Sequence, residues 1–150
     1  MLEKRIEQDL KAALLGGDKL KVTTLRSIKS ALLYAKVAAG KREAGLSEEE
    51  EIAVLTKESK KRQESADLYI KGNSRDRAEI ELQEKAIIDE YLPEQLSDEA
   101  VVSIIDAVIS QTGATDMSAM GSVIAAVKLK TAGTADGAMI ARLVKERLQK

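Results

Sequence analysis

Apolar residues recur three and four positions apart along nearly the whole chain, in runs separated by glycine, proline and capping residues. That period predicts amphipathic helices, about seven of them, and no strands. The first covers about Leu2–Leu15 and stops at Gly16-Gly17. Asp18 can cap a second helix reaching about Ala39, with Leu25, Ile28, Leu32, Ala35 and Ala39 as its stripe, Lys29 and Lys36 flanking it, and Gly40 as its end. Ser47 and Glu50 form a capping-box signature that opens a third helix running to Lys71 and closed by Gly72. Ser74 can cap a fourth, which carries Ile80, Ile87, Ile88 and Tyr91 inward until Pro93 stops it. Ser97 then caps a helix with Val101, Ile104, Ile105 and Val108 on one face, ended by Gly113. Asp116 starts another with Met120, Val123, Ile124 and Val127, and Gly133 breaks it. Asp136 can cap the last, whose Ile140, Leu143, Val144 and Leu148 share one side. No internal repeat is visible. The expected fold is all-α: an N-terminal multi-helix domain over residues 1–94, then a small C-terminal three-helix bundle over 95–150, divided at Pro93 because a proline cannot continue the fourth helix.

Composition agrees with the helical reading, since aromatic residues make up only 2% of the 150 residues while charged residues reach 33%. A chain of this length buries roughly 68–70% of its unfolded surface, enough for one substantial core or two small ones. It contains no Cys and no His, which excludes thiol nucleophiles, histidine bases, disulfides and ordinary zinc sites. No catalytic residue, cofactor or metal is expected. No apolar run approaches the ~20 residues that span a bilayer, and the opening Met-Leu-Glu-Lys-Arg-Ile-Glu lacks signal-peptide character, so no membrane association is expected and a cytoplasmic location is.

The net charge is −1, but its distribution is uneven. Residues 97–116 hold Asp98, Glu99, Asp106 and Asp116 without a base. Residues 117–150 hold Lys128, Lys130, Arg142, Lys145, Arg147 and Lys150 against Asp136 and Glu146. Lys128, Lys130, Arg142 and Lys145 flank the turn Gly133-Thr134-Ala135-Asp136-Gly137, and their side chains can contact phosphates. The alternative is a solvated basic face. Backbone amides at the turn could hold an anion, but a capping Asp136 would repel it, which favours an ordinary turn.

On the third helix the inward face reads Ile52, Leu55, Thr56, Ser59, Gln63, Ala66 and Ile70, about two turns of it without a large apolar side chain. Either small residues let two helices approach closely, or the helix bridges lobes in water, or the stripe is a polar groove lined by Arg62 with Lys60 and Lys61 nearby. Arg62 borders the stripe and suits a bidentate contact to carboxylate or phosphate, whereas Lys61 points away. Glu84 falls on the inward face of the fourth helix, where an unpaired carboxylate is costly. Arg62 is its best-placed partner, which favours a structural ion pair over a catalytic carboxylate.

Arg62, Ser65, Tyr69, Gly72, Asp76, Glu81 and Glu84, with Tyr91-Leu92-Pro93, Gln95-Leu96-Ser97, Gly121, Gly133, Asp136-Gly137 and Lys145, form a pattern that resembles the GatB/YqeY family nearly end to end. The family's usual Gly-Arg after the tyrosine helix stands here as Gly72-Asn73-Ser74-Arg75. The resemblance implies an all-α protein whose C-terminal three-helix domain is similar to the tail of the B subunit of glutamine-dependent tRNA amidotransferases, a tail that touches tRNA near its elbow. It also implies carbon–nitrogen ligase activity with glutamine as amide donor. The residues do not supply that chemistry: neither a Cys, nor an amidase signature with its lysine, nor a phosphate-binding glycine loop occurs. The expectation is therefore a non-catalytic adaptor for tRNA or a tRNA-bearing complex. An amide-transfer enzyme or subunit is the alternative, and a protein–protein interaction module the third reading.

Overall fold

The computed structural model describes residues 2–149, and among them all regular structure is helical. The helices are α1 (Leu2–Gly16), α2 (Lys19–Ala38), α3 (Glu48–Lys71), α4 (Arg75–Asp89), α5 (Asp98–Thr112), α6 (Met120–Thr131) and α7 (Gly137–Leu148), with a 3-10 turn at Met117–Ala119. The chain divides into two compact units, 1–92 and 93–150.

Local chemistry explains most of the helix ends. Asp18 accepts from the Lys21 amide to start α2, and Ser97 accepts from the Ala100 amide to start α5. At α3 the capping box is complete: Ser47 Oγ accepts from the Glu50 amide while Glu50 Oε2 accepts from the Ser47 amide at 2.8 Å. Asp116 accepts from Ser118 and so opens the 3-10 turn rather than α6 directly. Gly113 ends α5 in the left-handed conformation that an absent Cβ permits.

Gly72 closes α3 as expected, with Asn73 after it in the left-handed region, and α6 closes at Ala132, itself left-handed, just before Gly133 at φ 84°. Asn and Gly tolerate that region, whereas Ala132 adopts it at a steric cost held by the surrounding turn. Ser74 and Asp136 occupy N-cap positions without a side-chain capping bond. Ile80, Ile70 and Ala39 are exposed instead of inward. The buried line of α4 runs through Ala78 and Ile88, with Glu81 and Glu84 half-buried between them, so Ile80 lies off it.

The N-terminal core gathers Ile6 from α1, Leu25, Ile28 and Leu32 from α2, Leu55 from α3 and Ile88 from α4, all fully buried. Each such side chain contributes about 1.5–3 kcal/mol relative to remaining in water. α3 packs most extensively on α4. The polar stretch of its inward stripe is the means: Ser59, Ala66 and, from α4, Ala78 are all buried, and their small side chains let the two backbones come close. Ser59 Oγ donates to Asp89, which also receives Lys85 Nζ at 2.6 Å. Tyr91, just past α4, is buried, donates its hydroxyl to Asp9 and lies under the Arg5 guanidinium, 4.7 Å from the ring centre. Those contacts tie α1 to the end of α4.

The second unit packs Val101, Ile105 and Val108 of α5, Val123 and Val127 of α6, and Ile140, Leu143, Val144 and Leu148 of α7 into one core. The segment before α5 is fastened to the α6–α7 turn: the Leu96 amide donates to the Thr134 carbonyl at 2.7 Å and Gln95 Nε2 to the Gly133 carbonyl at 3.3 Å.

Candidate nucleic-acid interface

In the first unit, Arg62 sits between three helices with its side chain only 12% exposed. Its NH1 meets Glu58 Oε2 at 2.6 Å within α3, its NH2 donates to Ser27 Oγ on α2 at 2.8 Å, and its Nε lies 3.5 Å from Glu84 Oε2 on α4. The Glu84 pair expected from position is present. The guanidinium fork explains the arrangement, because only arginine presents donors in three directions from one plane. Arg62's donors are thus engaged by its own protein on three sides. Lys60, two residues away, turns to a different face of α3 and is exposed. Glu81 stands beside the cluster. Burial and the neighbouring Glu84 charge push its carboxyl above the ordinary value of 4.5, and Arg62 pulls it back in part.

Glu58 and Ser27 are members of this cluster that sequence reasoning missed. Glu58 had a signal, its i,i+4 spacing to Arg62; Ser27 had none, because only the packing of α2 on α3 brings it there. Glu51 was also missed. It is 2% exposed, its Oε2 accepts from the Glu3 amide at the start of α1 at 2.9 Å, and its buried Oε1 has no hydrogen-bond partner among the described residues.

In the second unit, Lys128, Lys130, Arg142 and Lys145 are all exposed. Lys128 lies over the start of α7: a Cβ on Gly137 would meet its Cε at 3.5 Å and its Nζ at 3.6 Å. Lys130, two residues on and so around the helix, donates to Gln111 at the end of α5 at 3.3 Å. Arg142 is shared by Asp98 at 3.3 Å and Glu146 at 3.4 Å, in pairs whose side chains are more than half exposed. Lys145 has no ion-pair partner among the described residues. Arg147 is held against Asp106 by two bonds, at 2.9 and 2.5 Å, which removes it from any open basic surface. The acidic and basic ends that the sequence separates therefore meet in the folded unit, where α5 carboxylates offset α7 bases. Three lysines and a loosely paired arginine remain to face an external anion.

No group of His, Cys, Asp or Glu among the described residues could hold a metal ion, and no described helix is long and apolar enough to cross a membrane. Residues 3–148 match the family described as Yqey-like protein. This chain belongs to the YqeY-like family. No curated protein matches it. The family match covers both units, so the Arg62 cluster and the basic lysines both lie on family-matched chain.

Proposed function

We propose that this YqeY-like protein is a non-catalytic adaptor that binds tRNA, or a complex carrying tRNA, through its C-terminal three-helix unit, and that it acts in the cytoplasm with a protein partner as a further possible ligand. The observation that carries the reading is the exposed set Lys128, Lys130 and Lys145, with Arg142 held only by weak surface pairs. The resemblance of this unit to an amidotransferase tail supplies the choice of RNA. With no Phe or Trp in the chain, base stacking contributes little, and recognition falls to phosphate contacts and the shape of a folded RNA.

The test is a gel-shift titration of total tRNA at low and raised salt. Phosphate-driven binding weakens steeply as salt rises, whereas salt-insensitive binding or none overturns the reading. Release of ammonia from glutamine by the purified chain would instead overturn the non-catalytic reading and favour the amide-transfer alternative.

A further inference from the structure

Between α2 and α3 runs a groove of about 510 Å³ that neither core fills. Its floor is Ala31 and Ala35 from α2 with Val54 from α3, Ala38 lies at its exposed end, and Ala35 and Val54 also pack on the N-terminal core beneath. From Ser27 to Ala38 it follows α2 for about three turns, ~16 Å at 1.5 Å per residue. Tyr34 stands at its edge 78% exposed. Methyl groups along such a floor allow another helix to lie close, with the Tyr34 ring as a flank for it to cover.

The α3 wall carries Lys57, Glu58 and Lys61 and is positive on balance. Glu58 has both oxygens engaged, Oε2 by Arg62 and Oε1 by Lys61 at 3.3 Å. Lys57 has no ion-pair partner among the described residues, and Lys61 reaches the rim with its side chain 56% exposed. Two lysines four residues apart therefore edge an apolar trough that offers no unengaged carboxylate. We propose that this groove receives an amphipathic helix of a partner protein, with small or leucine side chains on the buried face and Asp or Glu on the edge meeting Lys57 and Lys61. A nucleic acid is a poorer fit: the alanine and valine lining is alkyl, and the two lysines of the α3 wall have the Glu58 carboxylate between them. A second copy of this chain is also a poorer fit, because the principal apolar stripes of its helices are committed to its own two cores.

The inference does not depend on the RNA-binding reading and is tested apart from it. A display library of 20-residue helical peptides is selected against the intact chain, with the Ala31→Trp variant, and separately Ala38→Trp, as counter-targets; circular dichroism establishes that each variant is folded. The expected consensus is apolar at i, i+4 and i+7 with acids along one edge. Its affinity falls at least tenfold on a groove-filled variant, and Lys57→Glu/Lys61→Glu shifts the selected edge from acidic to basic. Ala38 is exposed, so its variant keeps the test valid if Ala31→Trp fails to fold. No groove-dependent helix, a consensus indifferent to the charge reversal, self-association lost on filling the groove, or RNA binding lost with it would each overturn the proposal.

Discussion

The Nε of Arg62 lies 3.5 Å from Glu84 Oε2, joining α3 to α4 at the point where the apolar stripe of α3 gives way to polar residues. Both side chains are largely buried, 12% and 18% exposed, so neither is well compensated by water alone. Glu58 and Ser27 complete the arginine's hydrogen bonding. One cation thus organises carboxylates from two helices and a hydroxyl from a third.

Arg62→Ala is expected to destabilise the first unit by about 3 kcal/mol, because it strands Glu58 and Glu84 as like charges in a low-dielectric site. Urea unfolding should show a lower midpoint with an unchanged slope. A variant as stable as the parent would show that solvent screens the cluster and that the network is incidental. Replacing Glu84 by Gln should cost less, since Arg62 keeps Glu58.

Two glutamates set opposite pH dependences. Glu81 is raised above 4.5, so the folded state holds its proton more tightly than the unfolded state. Its contribution is fully present below the ordinary value and is lost as pH rises through the elevated one. Glu81→Gln should therefore gain stability relative to the parent as pH increases through the window just above 4.5. Glu50 is lowered from 4.5, first by Lys41 and then by the Ser47 amide, so its contribution is present above that value and lost as pH falls through the depressed one. Glu50→Gln should lose its disadvantage in acid. Unfolding midpoints measured from pH 3 to pH 7 check both signs, and parallel curves for parent and variants would refute them.

Tyr91→Phe removes the hydroxyl that donates to Asp9 while leaving the ring under Arg5. The expected loss is about 1–2 kcal/mol, the size of a hydrogen bond to a charged group whose partner is left part-buried. Tyr91→Ala should cost more, since the buried ring and its cation contact go too. Burial and Asp9 push the Tyr91 phenol well above its ordinary value, so alkaline difference spectra should show a tyrosine titration step above the ordinary range that Tyr91→Phe removes.

If tRNA binds the C-terminal unit, changing Lys128, Lys130 and Lys145 together to Ala should flatten the salt dependence by about one unit of log–log slope per lost phosphate contact. Glu146→Gln should strengthen binding modestly by loosening the hold on Arg142. Mobility shifts at several salt concentrations measure both. An unchanged slope in the triple variant, with binding lost on changing Lys60 and Lys61, would move the site to the first unit.

Glu51→Gln should lower stability only slightly, because its amide oxygen still accepts from the Glu3 amide while its NH2 takes the place of the unpartnered Oε1. Glu51→Leu should lower it more by leaving that amide without its acceptor. Thermal melts of the two variants distinguish them. A loss with Gln equal to that with Leu would mean that the carboxylate charge itself holds the start of α1.

Periodicity and caps were legible in the residues alone because they are local: Ser47 and Glu50 are three apart, Pro93 cannot continue a helix, and Val101, Ile105 and Val108 recur on one face whatever lies opposite. The Arg62–Glu84 pair was also within reach, since two charges on inward faces require partners. What the sequence could not contain was rotation and neighbourhood. The α4 face that is buried runs through Ala78 and Ile88 rather than Ile80 because α3 approaches on the side where side chains are small. Ser27 reaches Arg62 and Glu51 reaches Glu3 only through the packing of separate helices. The charge pattern misled for the same reason: Asp98 and Asp106 stand far from Arg142 and Arg147 along the chain, yet in the folded unit they pair, because α5 and α7 share one core and bring their polar edges together.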